Sequence, residues 1–212
     1  MAQAAFARRA RAHLRRVDPV IARVMDAVGP YRPADRTAGT HYEALLRSIV
    51  FQQLSGKAAG TIHERLISLF PERRPVATTL LRMTDAELRA VGLSRQKVGY
   101  LRDLSERIHT GTLPLDHVDS LPDPDVITHL VQVKGIGRWT AQMFLMFKLG
   151  RSDVLPDLDL GIQNAIRRHY RKRKVLPKDV LRIGRKWSPY SSVACWYLWR
   201  SLDNGVGQLG AG

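Results

Sequence analysis

Two segments carry the residue types from which chemistry could come. In the first, Leu130 to Phe144 (LVQVKGIGRWTAQMF), apolar residues at 130, 131 and 133 end one helix, and Gly135, Ile136 and Gly137 form a turn too tight for side chains. A second helix follows, with Thr140 and Ala141 small enough to let the two helices cross closely. Glycine tolerates positive φ and lets a backbone approach a ligand. The amides that open a helix lack intrahelical acceptors and carry partial positive charge. Such a turn suits an anion, above all a phosphate, although an ordinary tight connection between packed helices would use the same glycines. The second segment, Asp153 to Asn164 (DVLPDLDLGIQN), holds carboxylates at 153, 157 and 159. A carboxylate at a helix start accepts backbone amides as an N-cap. In a water-poor place it can also stabilise a developing cation or take a proton from water. Asp157 and Asp159 are both placed for this.

The elements that must position these residues all read as helices. Asp18 before Pro19 predicts a capped start, with Val20, Ile21, Val24, Met25 and Val28 on one face and Gly29 at the end. Leu45, Leu46, Ile49 and Val50 recur at helical spacing over 41–53. Ser55 should cap a helix whose apolar face is Ala58, Ile62, Leu66 and Leu69, stopped by Pro71. Thr84 and Glu87 have capping-box spacing. Ser94 opens a helix through Val98, Leu101, Leu104 and Ile108, closed by Gly111, and Asp123 before Pro124 repeats the cap-and-proline start. No run alternates with period two, so strands are not expected. About ten helices of ordinary length account for the chain, which makes it all-α. The stretch Arg32 to Thr40 (RPADRTAGT) is the natural connection between lobes.

Composition narrows the partner. Lys and Arg number 34 against 19 Asp and Glu in 212 residues, a net charge of +15. That excess attracts polyanions, nucleic acid first among them, although a ribosomal or solubility-driven surface would also be basic. Cys195 is the one cysteine in the sequence, which rules out an intrachain disulfide, a cysteine zinc site and an iron–sulfur cluster. It lies in the apolar run 193–198, where a buried, inert thiol is expected. No stretch approaches the roughly 20 apolar residues of a membrane span. The Arg-rich, acid-free N-terminus reads as a basic helix or arm, and an intracellular protein is expected.

The hairpin segment resembles the helix–hairpin–helix DNA-binding motif. With the motifs FQQLSGKAA, VKGIGRWTAQMFLMF, PDLDLGIQ and WSPYSSVACWYLW in this order, the chain from about His41 to Leu202 resembles the helix–hairpin–helix (HhH-GPD) DNA glycosylase superfamily, within it the DNA-3-methyladenine glycosylase II family. The resemblance implies an all-α, two-lobed fold with an interlobe active-site cleft. One lobe would comprise 1–40 and 155–212, the other 41–154 with the hairpin at about 130–149. It implies a monofunctional hydrolase that flips out alkylated bases of the 3-methyladenine and 7-methylguanine type. Asp159 would be the catalytic carboxylate, Asp157 its rival.

Further roles follow from the same resemblance. Bifunctional relatives carry a nucleophilic lysine two positions after the second hairpin glycine; Trp139 stands there, and neither Lys134 nor Lys148 aligns with that lysine. Trp139, Met143, Trp187 and Tyr190 would line the base pocket, whereas Trp196 and Trp199 read as core. Leu54 would fill the vacated stack with Gln53 beside it. Lys57, Lys134, Gly135, Ile136, Gly137, Arg138 and Thr140 would hold backbone phosphates. A monovalent cation on the carbonyls of Val131, Val133 and Ile136 would be the one bound ion; no cofactor is required. Damaged double-stranded DNA would be the partner of a monomer, in the cytoplasm or nucleoid of a bacterium or a eukaryotic nucleus. The chain departs from the pattern at Met143, where relatives often carry an aromatic residue, and at Ser191, where they often carry Arg. Two alternatives stay open: a glycosylase for oxidised or deaminated bases, and a non-catalytic DNA-binding module that uses Asp159 only as a cap.

Overall fold

A computed structural model describes residues 2–32 and 38–203. Among them lie twelve α-helices, three short 3-10 turns and no strand. The chain divides into two compact units, 37–149 and 1–36 with 150–212. The expected connection at Arg32 to Thr40 falls largely outside the described residues, since 33–37 are not among them.

The unit formed by both chain ends contains α1 (Ala2–Val17), α2 (Pro19–Val28), α10 (Leu160–His169), α11 (Pro177–Gly184) and α12 (Ser191–Arg200). The basic N-terminus is therefore a helix, docked through Ala10 and Leu14, both fully buried. Asp18 caps α2 by accepting the amides of Val20 at 2.9 Å and Ile21 at 3.3 Å. Gly29 ends it at φ +89, where residues with a Cβ are disfavoured. The second Asp18 oxygen does separate work. It accepts the Trp187 indole N–H at 2.8 Å, the Tyr170 hydroxyl and the Lys186 ammonium, so a side chain with 0% exposure ties the start of α2 to the segments that follow α10 and α11. Burial alone would raise its carboxyl, but those three donors outweigh burial and hold it below the ordinary carboxylate value. Cys195 is buried, and burial pushes its thiol up.

The second unit contains α3 (His41–Phe51), α4 (Gly56–Ile67), α5 (Ala77–Arg82), α6 (Asp85–Ala90), α7 (Arg95–His109), α8 (Asp123–Leu130) and α9 (Arg138–Phe147). Capping boxes at Thr40 with Glu43 and at Thr84 with Glu87 start α3 and α6. Its core is Leu45, Leu46, Ile49, Leu66, Leu80, Leu101 and Leu104, all at 0% exposure. Each such side chain contributes about 1.5–3 kcal/mol on leaving water.

Three local expectations are corrected. The face of α4 is Ala59, Leu66 and then Phe70; Ala58, in its first turn, and Leu69, past its end at Ile67, are exposed. Asp123 lies inside α8, whose N-cap is Pro122, so the proline sits at the second helical position. Val131 follows the end of α8 and is 41% exposed, unlike Leu130 and Val133, which are buried.

Candidate functional site

The hairpin is built on one glycine that the backbone demands and one that it does not. Gly135 has φ +83, and a Cβ there would collide with the ring of Tyr100. Gly137, the N-cap of α9, has an ordinary φ of −92, and a Cβ there would meet nothing within 4 Å. The expectation that both glycines are forced by a tight turn is thus corrected for Gly137. As a cap without a side chain, Gly137 contributes no side-chain hydrogen bond to the start of α9.

Not every hairpin amide can serve an anion. The Lys134 N–H donates to Asp103 Oδ2 at 2.9 Å, and the Ile136 N–H donates to the Val133 carbonyl at 3.0 Å. Both drop out of the expected phosphate set as backbone donors, and the Ile136 side chain is buried at 3% exposure. The Thr140 side chain is buried as well, which leaves the residue's backbone amide, in the first turn of α9, as its means of reaching a phosphate. Lys134 and Arg138 keep exposed side chains around the turn, with the Lys134 ammonium 3.9 Å from Asp103.

Beside the hairpin stands the loop between α3 and α4. Gln52 donates its side-chain amide to the Gly135 carbonyl at 2.8 Å, which joins the two loops directly. Gln53 follows at φ +56, and Leu54 is 41% exposed. Lys57 is exposed in the first turn of α4, which Ser55 caps. Trp139 is 43% exposed at the second position of α9, and Met143 lies one turn later, half-buried. Lys148 is buried and its ammonium donates to the carbonyls of Gly39 at 2.5 Å and Ala38 at 3.2 Å, which makes it a structural cation.

In the other unit, the chain folds Asp159 into the N-cap of α10. Its Oδ1 accepts the Ile162 amide at 2.7 Å and the Trp199 indole N–H at 2.8 Å, and the residue is 8% exposed. Gly161 makes room for this pair: a Cβ there would sit 3.0 Å from both Asp159 Oδ1 and the Trp199 ring. Leu158 and Leu160, on either side, are 47% and 72% exposed. A nearly buried carboxylate thus lies between two apolar side chains that face outward. Asp157 is buried at 3% exposure, and its carbonyl accepts the Gln163 side chain at 2.9 Å.

Trp199 was invisible as a site residue because tryptophans in an apolar terminal helix read as core. The opposite holds for Trp187, which is fully buried against Asp18 and therefore leaves the base-pocket set. Tyr190 is half-buried, with its ring edge-on to Phe6 at 5.7 Å and His13 at 5.4 Å, packing that also accounts for it as an α1 contact. Ser191, the departure at WSPYSS, has a structural use: its hydroxyl and amide both donate to Asp153 Oδ1, at 2.5 and 3.2 Å, which caps α12 from outside.

The model of HhH-GPD superfamily base excision DNA repair proteins matches residues 46–189, more than half of the sequence. This chain belongs to the HhH-GPD superfamily. DNA-3-methyladenine glycosylase 1 of Schizosaccharomyces pombe is 36% identical over 197 residues, covering 91% of this chain and 86% of that protein. YfjP of Bacillus subtilis is 37% identical over 169 residues and 76% of this chain, which spans only 59% of YfjP's length. The solved structure of the S. pombe 3-methyladenine DNA glycosylase Mag1 in complex with abasic DNA superimposes with a TM-score of 0.84 at 33% identity, over 93% of this chain and 98% of that one. The carbonyls of Val131, Val133 and Ile136 are the set expected from the sequence to hold a monovalent cation. The Val133 carbonyl accepts from Ile136, and among the described residues no hydrogen bond falls on those of Val131 or Ile136. Hard, uncharged oxygens of this kind fit a monovalent ion and would satisfy no softer metal.

Proposed function

We propose that this chain is a monofunctional DNA glycosylase of base excision repair that extrudes alkylated bases, of the 3-methyladenine and 7-methylguanine type, and hydrolyses their N-glycosidic bond. The observation that carries the reading is the Asp159 carboxylate, nearly buried, oriented by Ile162 and Trp199, and placed in an HhH-GPD chain. The C1′–N bond breaks with its electron pair going to the base, and positive charge develops on the sugar as an oxocarbenium ion. A fixed carboxylate stabilises that charge. Water then adds to C1′ and gives up its proton, with Asp159 as the acceptor. A base alkylated on a ring nitrogen leaves neutral, so no strong general acid is required.

The hairpin holds a backbone phosphate through the opening amides of α9, with Lys134, Arg138 and Lys57 adding charge. Contacts of this kind set position and carry no sequence information. When bound, a monovalent cation on the Val131, Val133 and Ile136 carbonyls would add a positive charge beside that phosphate. Leu54 enters the stack as the base leaves; flipping is the general solution for enzymes, glycosylases among them, that act on a base held in a duplex. Trp139 in place of a lysine leaves water as the nucleophile. The protein works where the genome is, as a monomer on damaged duplex. Among the described residues no helix is long and apolar enough to cross a membrane.

The deciding experiment incubates the protein with methylated duplex DNA and separates the released bases by chromatography. Wild type releases free 3-methyladenine or 7-methylguanine. Asp159→Asn, which keeps an equally good N-cap, binds the duplex but releases roughly a thousandfold less, the equivalent of about 4 kcal/mol. Unchanged release by Asp159→Asn removes the assignment, and an enzyme–DNA adduct trapped by borohydride removes the monofunctional reading.

A further inference from the structure

Three side chains stand three residues apart along one ridge of α7, and each holds a different piece of the two loops described above. The Lys97 ammonium donates to the carbonyls of Val50 at 2.6 Å and Gln52 at 2.8 Å, where α3 ends and the Leu54 loop begins. It is a cation turned inward, half-buried against a helix C-terminus, where positive charge is favoured. Tyr100 lies against Gly135, filling the space that a Cβ would need. Asp103 Oδ2 accepts the Lys134 amide at 2.9 Å and Arg107 Nε at 3.0 Å, and so fixes the entry to the hairpin. The Gln52 bond to the Gly135 carbonyl closes the circuit between the loops. From Lys97 to Asp103 the helix rises about 9 Å, a rigid span between the two attachment points.

We propose that α7 is a brace that sets the Leu54 loop against the Gly135 hairpin, with Lys97 and Asp103 as positioning residues for duplex opening. The inference rests on the glycosylase reading above. A wedge can only push a base out of the stack if the backbone is held against the push. The hairpin supplies the hold and Leu54 the push, and α7 keeps the distance between them constant. Slack in the brace therefore costs most when the base must be forced out, and little when it is already unpaired.

The test compares two duplexes, one carrying an alkylated purine opposite its normal partner and one carrying it opposite an abasic site, in single-turnover excision. For Lys97→Met we expect a roughly tenfold slower excision from the paired duplex and a change within about twofold on the unpaired one, because only the first demands forced opening. Affinity for undamaged duplex stays near wild type. Lys97→Arg, which retains donors for both carbonyls, restores the paired rate. Equal losses on the two duplexes, or no loss on either, overturn the brace. If Lys97→Met does not fold, as judged by circular dichroism, Gln52→Leu cuts the bond between the loops and carries the same comparison. A wild-type protein that excises from neither duplex sinks the glycosylase reading itself, whereas wild-type excision with equal losses sinks the brace alone.

Discussion

The indole N–H of Trp199 lies 2.8 Å from Asp159 Oδ1, the oxygen that also accepts the Ile162 amide at 2.7 Å. One donor comes from the helix that Asp159 caps and the other from α12, so the carboxylate is held from two directions. Trp199→Phe keeps an aromatic ring and deletes the donor. A hydrogen bond to a charged group contributes about 1.5–3 kcal/mol, and the share felt at the reacting sugar should slow single-turnover excision by about tenfold. Damaged-duplex affinity, measured by anisotropy, stays within about twofold. An unchanged rate would show that the Trp199 donor has no part in setting the carboxylate for the reaction.

The two hairpin glycines should respond to alanine in opposite ways. At Gly135 the positive φ and the Tyr100 ring make any side chain costly, so Gly135→Ala should lower stability by more than the ordinary 1 kcal/mol or so of a glycine effect. At Gly137 the backbone is ordinary and the space is open, so Gly137→Ala should cost only what alanine loses as an N-cap, about 1 kcal/mol or less. It places a methyl group where the proposed phosphate must approach, and duplex affinity should fall by about tenfold, roughly 1.4 kcal/mol. Wild-type affinity for Gly137→Ala would mean that no phosphate contacts this turn.

The residue pattern made the helices and their starts legible because caps are local. Asp18, Thr84 and Ser94 accept amides within three residues of themselves, and the spacing alone reveals them. Asp159 as a cap was legible for the same reason, as the residue before an apolar helix. What could not be read was whatever depends on a partner far along the chain. Trp187 and Trp199 look alike in WSPYSSVACWYLW, yet one is spent on Asp18, 169 residues away, and the other reaches Asp159. Gln52 and Gln53 are adjacent and identical in type, and only the fold shows that Gln52 holds the hairpin while Gln53 turns outward at positive φ. Lys97 and Asp103 carry no local signal of their tie to loops some 45 and 31 residues distant.

Asp18 should dominate the acid response of its unit. Its carboxyl lies below the ordinary value in the folded protein, so the ionised form contributes stability above the unfolded carboxyl value of about 3.9. That contribution is lost as pH falls through the lower folded value. Asp18→Asn removes the charge opposite Lys186 while keeping an oxygen for the cap. Its unfolding free energy should be lower than wild type at neutral pH, and the gap should narrow as pH falls below about 4. Urea titrations at pH 7, 5 and 3 measure this. A gap that does not narrow with acid would show that Asp18 acts through shape and hydrogen bonding alone.

Trp139 should decide which lesions are taken. A purine alkylated on a ring nitrogen is a cation, and an indole face attracts it by about 0.5–2 kcal/mol beyond ordinary stacking, depending on how dry the contact is. Trp139 is 43% exposed, and the half-buried Met143 lies one helical turn along α9. Trp139→Leu keeps an apolar surface and removes the electron-rich face. Excision of 7-methylguanine should then fall between about twofold and thirtyfold further than excision of neutral hypoxanthine, the range that this attraction spans. The ratio of the two kcat/KM values, measured on otherwise identical duplexes, isolates the charge term because lost stacking area affects both lesions alike. Parallel losses would make Trp139 a wall of the pocket with no part in choosing cations, and the preference for alkylated bases would then have to come from the lability of the damaged bond itself.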